Sequence, residues 1–467
     1  MKNNFINNVI ESSQYELTSD QLNCINQVSN YLFDKTDQKI HIINGHAGTG
    51  KTTIISLLVQ HLSNCILLAP TGRAVKILSQ YSNRLAYTIH KYIYHTYHDE
   101  LGNIKIIPAK NKKKNCIYIV DEASMISDND NSYNFQTNVN VLQDLMDFVF
   151  TDRNSKLIFI GDTAQLPPVG YSESPALDVS VLWEKYNVKA KMSTLTQVVR
   201  QDLQSPILRN AEFLRKKIYS ENFEQPYFID TENSTLFSFI NPYSAEDEFH
   251  TLFGNSDKIT ESVIICRSNK MANQYNKMIR ARVLFYDNII TVGERLMVVK
   301  NNYFWLDEQN QRFIANGDMI EIKRINWIDN TYGFDFANVT IELVDYDDIP
   351  PLDVNILLNT LNSNSANLSR EREDSNTLYQ NILNDYIGIE NKAERNKQIR
   401  NNEFFNALQV KYGYALTCHK TQGGQWENVF IDQGFIPSDQ LNKDFLRWLY
   451  TAITRSTQRV ILLRKFK

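Results

Sequence analysis

The chain has 467 residues, of which 42% are hydrophobic and 22% are charged. This length allows about three domains with buried cores, and the composition excludes a fibrous or disordered chain. The net charge of -4 argues against binding to nucleic acid through overall basicity, although it is compatible with a locally basic groove.

Neither a membrane segment nor a secretion signal is predicted. No run approaches the roughly 18 apolar residues of a membrane helix, and the polar segment 1–14 lacks the apolar core of a signal peptide. We therefore expect a cytoplasmic protein. The five cysteines are scattered without a C-x-x-C pair, so reduced, buried thiols are favoured over disulfides or a metal site.

A first amphipathic helix is predicted to run to about Phe33, with Thr18 or Ser19 as its N-cap. Gln21 lies at its start. Taken alone, Gln21 is most simply a surface glutamine, but its amide also offers the donor and acceptor pair that can bind an adenine edge. Its position just before the apolar strand at 40–43 strengthens the second interpretation.

That apolar strand leads directly into a glycine-rich loop. The loop reads Gly45-His46-Ala47-Gly48-Thr49-Gly50-Lys51-Thr52. In the order strand, loop and helix, backbone N–H groups and the helix N-terminus form a phosphate cradle, and Lys51 adds a point charge. The alternative is a glycine-rich turn with a solvated lysine, which the rarity of the pattern disfavours. We therefore predict a nucleotide site that extends to Thr53.

Further apolar segments end in polar residues that are expected at the same edge of the sheet. The run Cys65–Ala69 is typical of a buried parallel strand, and Thr71 and Arg73 follow it. Ligands of α/β sheets bind at the carboxyl ends of strands, so these residues are expected at the working edge. Taken singly, Thr88 and His90 are more simply a helix cap and a surface histidine.

The pattern changes between Tyr92 and Lys114. Aromatic and β-branched residues surround a turn signal at Leu101-Gly102-Asn103, which predicts a protruding β-hairpin. Three lysines, Lys112–Lys114, close this segment. Solvated charge is their simpler interpretation, and a contact with phosphate is the alternative.

Two acids, Asp121 and Glu122, follow the apolar strand Ile117–Val120. On an isolated exposed strand, adjacent acids would be unremarkable. After a phosphate loop, they place one carboxylate on a magnesium ion shared with Thr52 and the other beside the attacking water. This arrangement indicates nucleotide hydrolysis, with Asp121 on the metal and Glu122 as the base.

Another buried strand, Lys156–Asp162, leads into a loop that contains two prolines. Gln165 lies in this loop, at the same predicted edge as the two acids. Its amide can hydrogen-bond the γ-phosphate. Loss of the γ-phosphate would then be transmitted through the loop to the residues that the loop contacts.

The second half of the chain contains several further strand-like segments. Those between 288 and 346 predict a small antiparallel barrel, with Asn316-Gly317-Asp318 as a hairpin turn. Residues 347–408 are polar and predict an insertion of helices and loops. Residues 409–467 return to a core-like composition and indicate a second α/β sheet.

The ordered motifs resemble those of superfamily 1 helicases, and three segments resemble its RecD-like and Dda-like branch, superfamily 1B. These segments are Gly161–Gly170, Leu195–Gln201 and His419–Gly423. The resemblance covers nearly the whole chain. It implies an α/β fold of two RecA-like parallel-sheet P-loop domains. The first would carry a β-hairpin insertion, and the second an SH3-like barrel plus a helical insertion.

The implied domains follow one another along the chain. They are domain 1A (1–185, with the hairpin insertion at 88–115), the first part of domain 2A (186–287), the barrel with a polar helical arm, domain 2B (288–408), and the second part of domain 2A (409–467). The hairpin would be the pin that separates DNA strands, with Leu101 at its tip. The arm at 347–408 would brace the pin.

The resemblance also carries roles onto matching residues. Gln21 would bind adenine, and Gln165 and Arg200 would sense the γ-phosphate. Arg455 would reach across the cleft from the second sheet as an arginine finger. The DNA track would be lined by Pro70, Thr71, Thr88, His90, Thr417, His419 and Lys420. Contacts of this kind grip phosphates without reading bases.

The implied activity is that of an ATP- and Mg²⁺-dependent DNA helicase in replication, repair or recombination. It would move 5′ to 3′ on single-stranded DNA and open duplexes at junctions. We expect a monomeric motor, with single-strand-binding, replication or recombination proteins as partners. The alternative is a DNA-dependent translocase subunit of a larger recombination complex that does not unwind alone. A binding module without turnover is disfavoured by Glu122, Gln165 and Arg455 together.

Overall fold

The first 195 residues build a parallel β-sheet around the strand that carries the phosphate loop. The computed structural model describes the whole chain apart from residues 1, 35, 99–103, 129–139, 199–204, 222, 224–227, 229–235, 241–244, 256–257, 303, 307–312, 345, 347–348, 366–367, 369–371, 435–440 and 464–467. Within the described residues, no helix is long and apolar enough to cross a membrane.

The elements of this first domain alternate between strands and helices. They are α1 (Lys2–Glu11), α2 (Ser19–Phe33), β1 (Ile40–Gly45), α3 (Lys51–Gln60), β2 (Cys65–Ala69), α4 (Gly72–Ser82), β3 (Ala86–Thr88), α5 (Ile89–Ile93), β4 (Tyr94–His98), β5 (Ile104–Pro108), β6 (Ile117–Val120), α6 (Val141–Phe150), β7 (Lys156–Gly161), α7 (Val179–Tyr186) and β8 (Ala190–Leu195). The strand order is β3-β2-β6-β7-β1-β8, and all pairings are parallel.

Helices cover both faces of this sheet. Successive residues of a strand point to opposite faces, so apolar side chains on each face pack against helices. Ile42 packs with α6 and α7 on one face, whereas Ile43 packs with α2 and α3 on the other. The predicted first helix is confirmed as α2. The Thr18 hydroxyl accepts from the Gln21 N–H at 3.3 Å, and the Gln21 side-chain oxygen accepts from the Thr18 N–H at 3.0 Å, which forms a capping box.

The second domain is split by an inserted barrel. Its own elements are α8 (Pro206–Tyr219), β9 (Phe237–Phe239), α9 (Glu246–Phe253), β10 (Ser262–Cys266), α10 (Asn269–Met278), β16 (Ala415–Thr417), α13 (Cys418–Thr421), β17 (Trp426–Asp432), α14 (Lys443–Ile453) and β18 (Ser456–Leu462). The order of its parallel strands is β16-β10-β17-β18-β9. The predicted fold of two parallel-sheet domains is thereby confirmed.

The inserted barrel is closed and has five strands. Its elements are β11 (Arg295–Val298), β12 (Met319–Thr331), β13 (Phe334–Leu343), β14 (Leu352–Leu357), α11 (Arg372–Asn384), α12 (Lys392–Arg400) and β15 (Leu408–Tyr412). Helices α11 and α12 form the predicted arm, and Ile382 and Ile399 pack it on Phe336 of the barrel. The contacts described for this arm are therefore with the barrel, and its contact with the pin stays a prediction.

Two predicted boundaries need correction. The limit at residue 185 is too early, because β8 pairs with β1 along its length and completes the first sheet. The barrel also extends beyond 288–346, since β14 and β15 close it. The polar composition of 347–408 concealed β14, although its last four residues are buried.

One predicted hairpin turn has a different role in the structure, and one predicted hairpin is confirmed. Gly317 lies in a turn, with a φ of +98° that favours glycine, but this turn ends a long connection from β11. The tight hairpin of the barrel lies between β12 and β13. The hairpin of the first domain is confirmed, because β4 and β5 pair in antiparallel register. Its predicted tip, Leu101, lies outside the described residues.

All five cysteines are free thiols in the structure. Cys24, Cys116, Cys266 and Cys418 are buried, and Cys65 is half-buried. The predicted burial is therefore confirmed for four of the five thiols.

A buried ion pair holds the barrel to the second domain. Glu294, immediately before β11, is fully buried and accepts bonds of 2.9–3.0 Å from the Arg280 guanidinium. Tyr414, just after the barrel ends, donates its hydroxyl to the same carboxylate at 2.9 Å. The two chain connections between barrel and sheet therefore meet at one carboxylate.

Replacing Glu294 with Ala should strongly destabilise this junction because it leaves the Arg280 charge buried without its partner. We expect the free energy of unfolding to fall by about 3–5 kcal/mol, measured by urea titration with circular dichroism. Asp37→Ala, which removes an exposed pair with Lys189, is the control and should cause no comparable loss. Equal stability of the two variants would contradict the junction's role.

Candidate nucleotide and DNA site

A cleft of about 880 Å³ lies between the two sheets and collects most of the predicted nucleotide-binding residues. One wall comes from the phosphate loop, α4 and the acids after β6. The other comes from segments 423–425 and 454–456 of the second domain. Residues from both sheets therefore face one space.

The phosphate loop has the predicted strand, loop and helix geometry. Gly48 and Gly50 adopt φ angles of +79° and +82°, which turn the backbone before α3 begins at Lys51. The Lys51 ammonium group donates to the carbonyl oxygens of Gly45 at 2.5 Å and His46 at 3.2 Å. It is thus held along the loop, where phosphate oxygens would be alternative acceptors.

The Gln21 side chain is buried against the phosphate loop and is not among the residues that line the cleft. Its amide nitrogen donates to the Thr49 carbonyl at 3.2 Å, and its oxygen completes the capping box with Thr18. One N–H and one lone pair are still available for an adenine edge. Tyr15 and Glu16, which the sequence analysis did not select, do line the cleft. Their nearness to Gln21 in the sequence was the available signal.

The two acids lie together beside the phosphate loop. The Asp121 carboxylate accepts from the Tyr81 hydroxyl at 2.5 Å and from the Glu122 N–H at 2.9 Å. Glu122 has a φ of +50°, a strained conformation for a residue other than glycine. Such strain persists where the surrounding structure enforces it, and it is concentrated at functional sites.

Burial raises the pKa of both carboxyl groups, because an ionised group loses its hydration. The hydrogen bond from Tyr81 opposes this shift for Asp121. The charge of Arg455 is the strongest opposing influence for Glu122. Arg455, on the second domain, is thus close enough to stabilise the ionised form of Glu122.

The residues present fit the predicted magnesium ion. Asp121 offers a half-buried carboxylate, Thr52 offers an exposed hydroxyl, and both line the cleft. No group of three or more His, Cys, Asp or Glu side chains in the described part of the chain could hold a metal alone. Mg²⁺ commonly takes one or two protein ligands together with phosphate oxygens and water, so these two side chains suffice.

Gln165 is buried and lines the cleft opposite Arg455. Its side-chain oxygen accepts no hydrogen bond among the described residues. The two ends of an amide exchange by rotation, so either end can face a phosphate. Arg200, the other predicted sensor, lies outside the described residues. Its neighbours Thr196 and Gln197 are held against the start of α2 by Asp20.

Arg455 lies on the opposite wall, as the resemblance implied. Its side chain is 5% exposed and donates to the carbonyl oxygens of Thr451 at 3.2 Å and Gly424 at 3.3 Å. These bonds hold the guanidinium at the edge of the cleft. A γ-phosphate could replace either carbonyl as its acceptor.

Tyr450 joins the two walls, and the sequence analysis missed it. Its hydroxyl accepts from the Ala47 N–H at 3.0 Å and donates to Asp162 at 2.7 Å. Burial would raise the pKa of Asp162, but the His46 hydrogen bond, the Lys51 charge and the Tyr450 hydroxyl lower it to about 2. Asp162 is therefore an ionised acceptor. The only signal in the sequence was the position of Tyr450 five residues before Arg455.

The predicted DNA residues form two groups that meet beside this cleft. In the first domain, Pro70 and Thr71 follow β2, and Thr88 pairs with Ala69 at the end of β3. The hydroxyls of Thr71 and Thr88 cap α4 and α5, which is the simpler role considered for Thr88. His90 follows on α5. In the second domain, Thr417 precedes α13, which carries His419 and Lys420.

The two groups are linked by close backbone packing. A Cβ on Gly423 would lie 3.1 Å from Ala74 and 3.5 Å from the Thr71 hydroxyl. Burial lowers the pKa of His419, which favours its neutral form. The structure thus brings Thr71 of the first group close to Gly423, three residues after Lys420 of the second group, and the contacts of both groups with DNA stay predictions.

A phosphate loop, an acid pair and an arginine on the facing sheet define a two-domain P-loop ATPase of the RecA type. A family model described as an AAA domain matches residues 16–224, and one described as a UvrD-like helicase C-terminal domain matches residues 412–463. Together with the relatives below, these matches confirm the resemblance of the ordered motifs to superfamily 1B helicases of the RecD-like and Dda-like branch.

Three known proteins illustrate the similarity. The ATP-dependent DNA helicase dda of Enterobacteria phage T4 is 28% identical over 299 residues, which cover 61% of either chain. The RecBCD enzyme subunit RecD of Buchnera aphidicola subsp. Schizaphis graminum is 25% identical, with 96% of this chain and 76% of RecD covered. A structure of Pif1 helicase from Bacteroides with ADP-AlF3 and ssDNA aligns over 97% of this chain and 94% of its own, at 15% identity and a TM-score of 0.48.

Replacing Arg455 with Ala should slow ATP hydrolysis by about 1000-fold or more with little change in ATP affinity, because its charge acts mainly in the transition state. The change also removes the strongest influence that lowers the Glu122 pKa. Glu122 accepts a proton only when ionised, so the acidic limb of the rate profile should move to higher pH. Single-turnover hydrolysis measured from about pH 5 to 9 checks both effects.

Lys51→Ala is the comparison for this experiment, since it removes the charge partner of the phosphates. We expect no turnover from this variant at any pH. A loss of ATP affinity in Arg455→Ala at an unchanged rate constant would contradict the finger role, and retained hydrolysis in Lys51→Ala would contradict the nucleotide site.

Proposed function

We propose that the protein is an ATP-dependent DNA helicase that moves 5′ to 3′ on single-stranded DNA and unwinds duplexes. The observation that carries this proposal is the shared cleft, with Lys51, Asp121 and Glu122 on one wall and Arg455 on the other. A nucleotide bound there touches both sheets. Its arrival and loss can therefore change the distance between them.

The chemistry follows from the positions of the side chains. Lys51 and the loop N–H groups bind the phosphates, and Glu122 orients and deprotonates the attacking water. Mg²⁺ held by Thr52 and Asp121 would neutralise phosphate charge. Arg455 completes the site only when the second wall is close. Hydrolysis is thereby tied to a closed cleft.

DNA would lie across the edge where the two groups of predicted contacts meet. Contacts from both sheets allow each domain to grip the strand in turn as the cleft closes and opens. Hydroxyl and backbone contacts with phosphate do not depend on base sequence. The motor would therefore step along any single strand, and the 5′ to 3′ direction follows from the resemblance to the RecD-like branch.

Direction is tested with matched duplexes that carry one single-stranded tail. We expect ATP-dependent strand separation of the duplex with a 5′ tail and none of the duplex with a 3′ tail. Gel separation of a labelled strand under single-turnover conditions measures it. Unwinding of the 3′-tailed substrate alone would overturn the polarity, and failure on both would favour the alternative function.

That alternative is a DNA-dependent translocase subunit that does not unwind alone. The similarity to RecD favours this alternative. The alignment with RecD covers 96% of this chain, and the name of RecD describes it as a subunit of the RecBCD enzyme. Both functions use the same nucleotide residues. They differ in whether the hairpin β4–β5 acts as a pin between DNA strands.

Shortening the hairpin should separate unwinding from ATP hydrolysis. Thr96 and Ile106 are paired, so replacing residues 97–105 with Asn-Gly would close the ribbon with a two-residue turn. We expect loss of forked-duplex unwinding with DNA-stimulated phosphate release retained. A shortened variant that unwinds as fast as the intact chain would exclude the pin role.

A further inference from the structure

Helix α4 connects the edge predicted to bind DNA with the predicted metal ligand. It begins after Thr71, and its residues Ile77 and Tyr81, one turn apart, line the nucleotide cleft. At its C-terminal end, the Tyr81 hydroxyl donates to Asp121 at 2.5 Å. The Tyr81 hydroxyl is the donor of this bond and the Asp121 carboxylate is the acceptor.

The other end of α4 contacts both the barrel and the second sheet. A Cβ on Gly72 would lie 2.0 Å from the Ala315 Cβ, so only glycine allows this approach of helix and barrel. The Arg73 guanidinium lies 3.9 Å from the centre of the Trp426 ring and donates to the Gln425 carbonyl at 3.4 Å. The Lys76 ammonium lies 5.0 Å from the Tyr346 ring centre.

The helix can carry a displacement from one end to the other. Eight residues separate Arg73 from Tyr81, which is about 12 Å at the usual helical rise. No glycine or proline interrupts this stretch, and Ala74 and Leu78 pack into the core. A shift of the barrel or the second sheet against Arg73 would therefore move the Tyr81 hydroxyl.

The position of that hydroxyl helps to set the orientation of the Asp121 carboxylate. One carboxylate oxygen accepts a hydrogen bond from Tyr81, and the other accepts one from the Glu122 N–H at 2.9 Å. Each oxygen keeps a lone pair with which to bind a metal ion. Hydrogen bonds to ligating carboxylates fix their orientation, and removal of such a bond typically costs about 10- to 100-fold in metal affinity or activity.

We propose that Tyr81 is a positioning residue for Asp121, and that α4 transmits the position of the second domain and barrel to the metal site. The inference rests on the proposed function, because it assumes that Asp121 binds the metal of a nucleotide complex. It adds a route by which bound DNA would alter that complex. The linkage runs both ways, since metal binding would change DNA affinity by the same factor.

The test measures metal binding directly. Mn²⁺, a substitute for Mg²⁺, is titrated into the full chain with ADP, and free Mn²⁺ is followed by electron paramagnetic resonance. Tyr81→Phe keeps the ring and removes only the hydroxyl. We expect Mn²⁺ to bind about 10- to 100-fold more weakly, with unchanged ADP affinity in the absence of metal.

Tyr171→Phe is the matched control. The Tyr171 hydroxyl donates to Asp128 in the same domain at the same distance, 2.5 Å, and Tyr171 does not line the cleft. This variant should bind Mn²⁺ like the unaltered chain. Equal Mn²⁺ affinity in the two variants would overturn the positioning role, and so would tighter binding by Tyr81→Phe, which would show that the hydroxyl competes with the metal.

Transmission through α4 is tested by repeating the titration with oligothymidylate of about 16 nucleotides. We expect DNA to change the Mn²⁺ affinity of the unaltered chain by about fivefold or more, and of Tyr81→Phe hardly at all. An equal DNA effect in both proteins, or none in the unaltered chain, would overturn the transmission. If the unaltered chain binds no Mn²⁺ with ADP, the proposed nucleotide function itself fails.

Discussion

The hydrogen bonds of Tyr450 are the constraint on which the arrangement of the two domains depends. The hydroxyl joins the Ala47 N–H of the phosphate loop to Asp162 of the loop after β7. The next residue, Thr451, accepts from the Leu166 N–H at 2.9 Å. Leu166 itself lies in the hydrophobic core of the second domain. Helix α14 is thus fixed to the first domain through its last turn, just before Arg455.

Four hydrogen bonds join this part of the second domain to the first domain. Tyr450 makes two of them, Thr451 makes a third, and Gln422 donates a fourth to the Leu166 carbonyl at 2.9 Å. At about 1 kcal/mol each, they contribute roughly 4 kcal/mol. Binding of a nucleotide with micromolar affinity releases about 8 kcal/mol. This release exceeds the contribution of these four bonds, to which Lys443 and Arg447 of the same helix add ion pairs with Glu173 of the first domain.

Chemistry that depends on contiguous residues was predictable from the sequence, whereas contacts between distant segments were not. The phosphate loop and the acids after β6 follow from local order and spacing. Tyr81 and Tyr450 were missed because their roles depend on hydrogen bonds to Asp121 and Asp162, which are distant in the sequence. Strand β14 was missed because the polar arm that follows it dominates the composition. The first sheet was cut short because β8 pairs with β1, about 150 residues earlier.

The burial of the acid pair gives a physical reason why hydrolysis should follow closure. Asp121 and Glu122 are adjacent, and burial penalises the charge of each. Lys51 offsets part of this cost from within the first domain, but the strongest offset for Glu122 comes from Arg455. As the walls separate, that offset weakens and the ionised base becomes less favourable. With the proposed roles of Arg455 and Glu122, the second domain would control both transition-state charge and the charge of the base, which would join the timing of hydrolysis to the distance between the sheets.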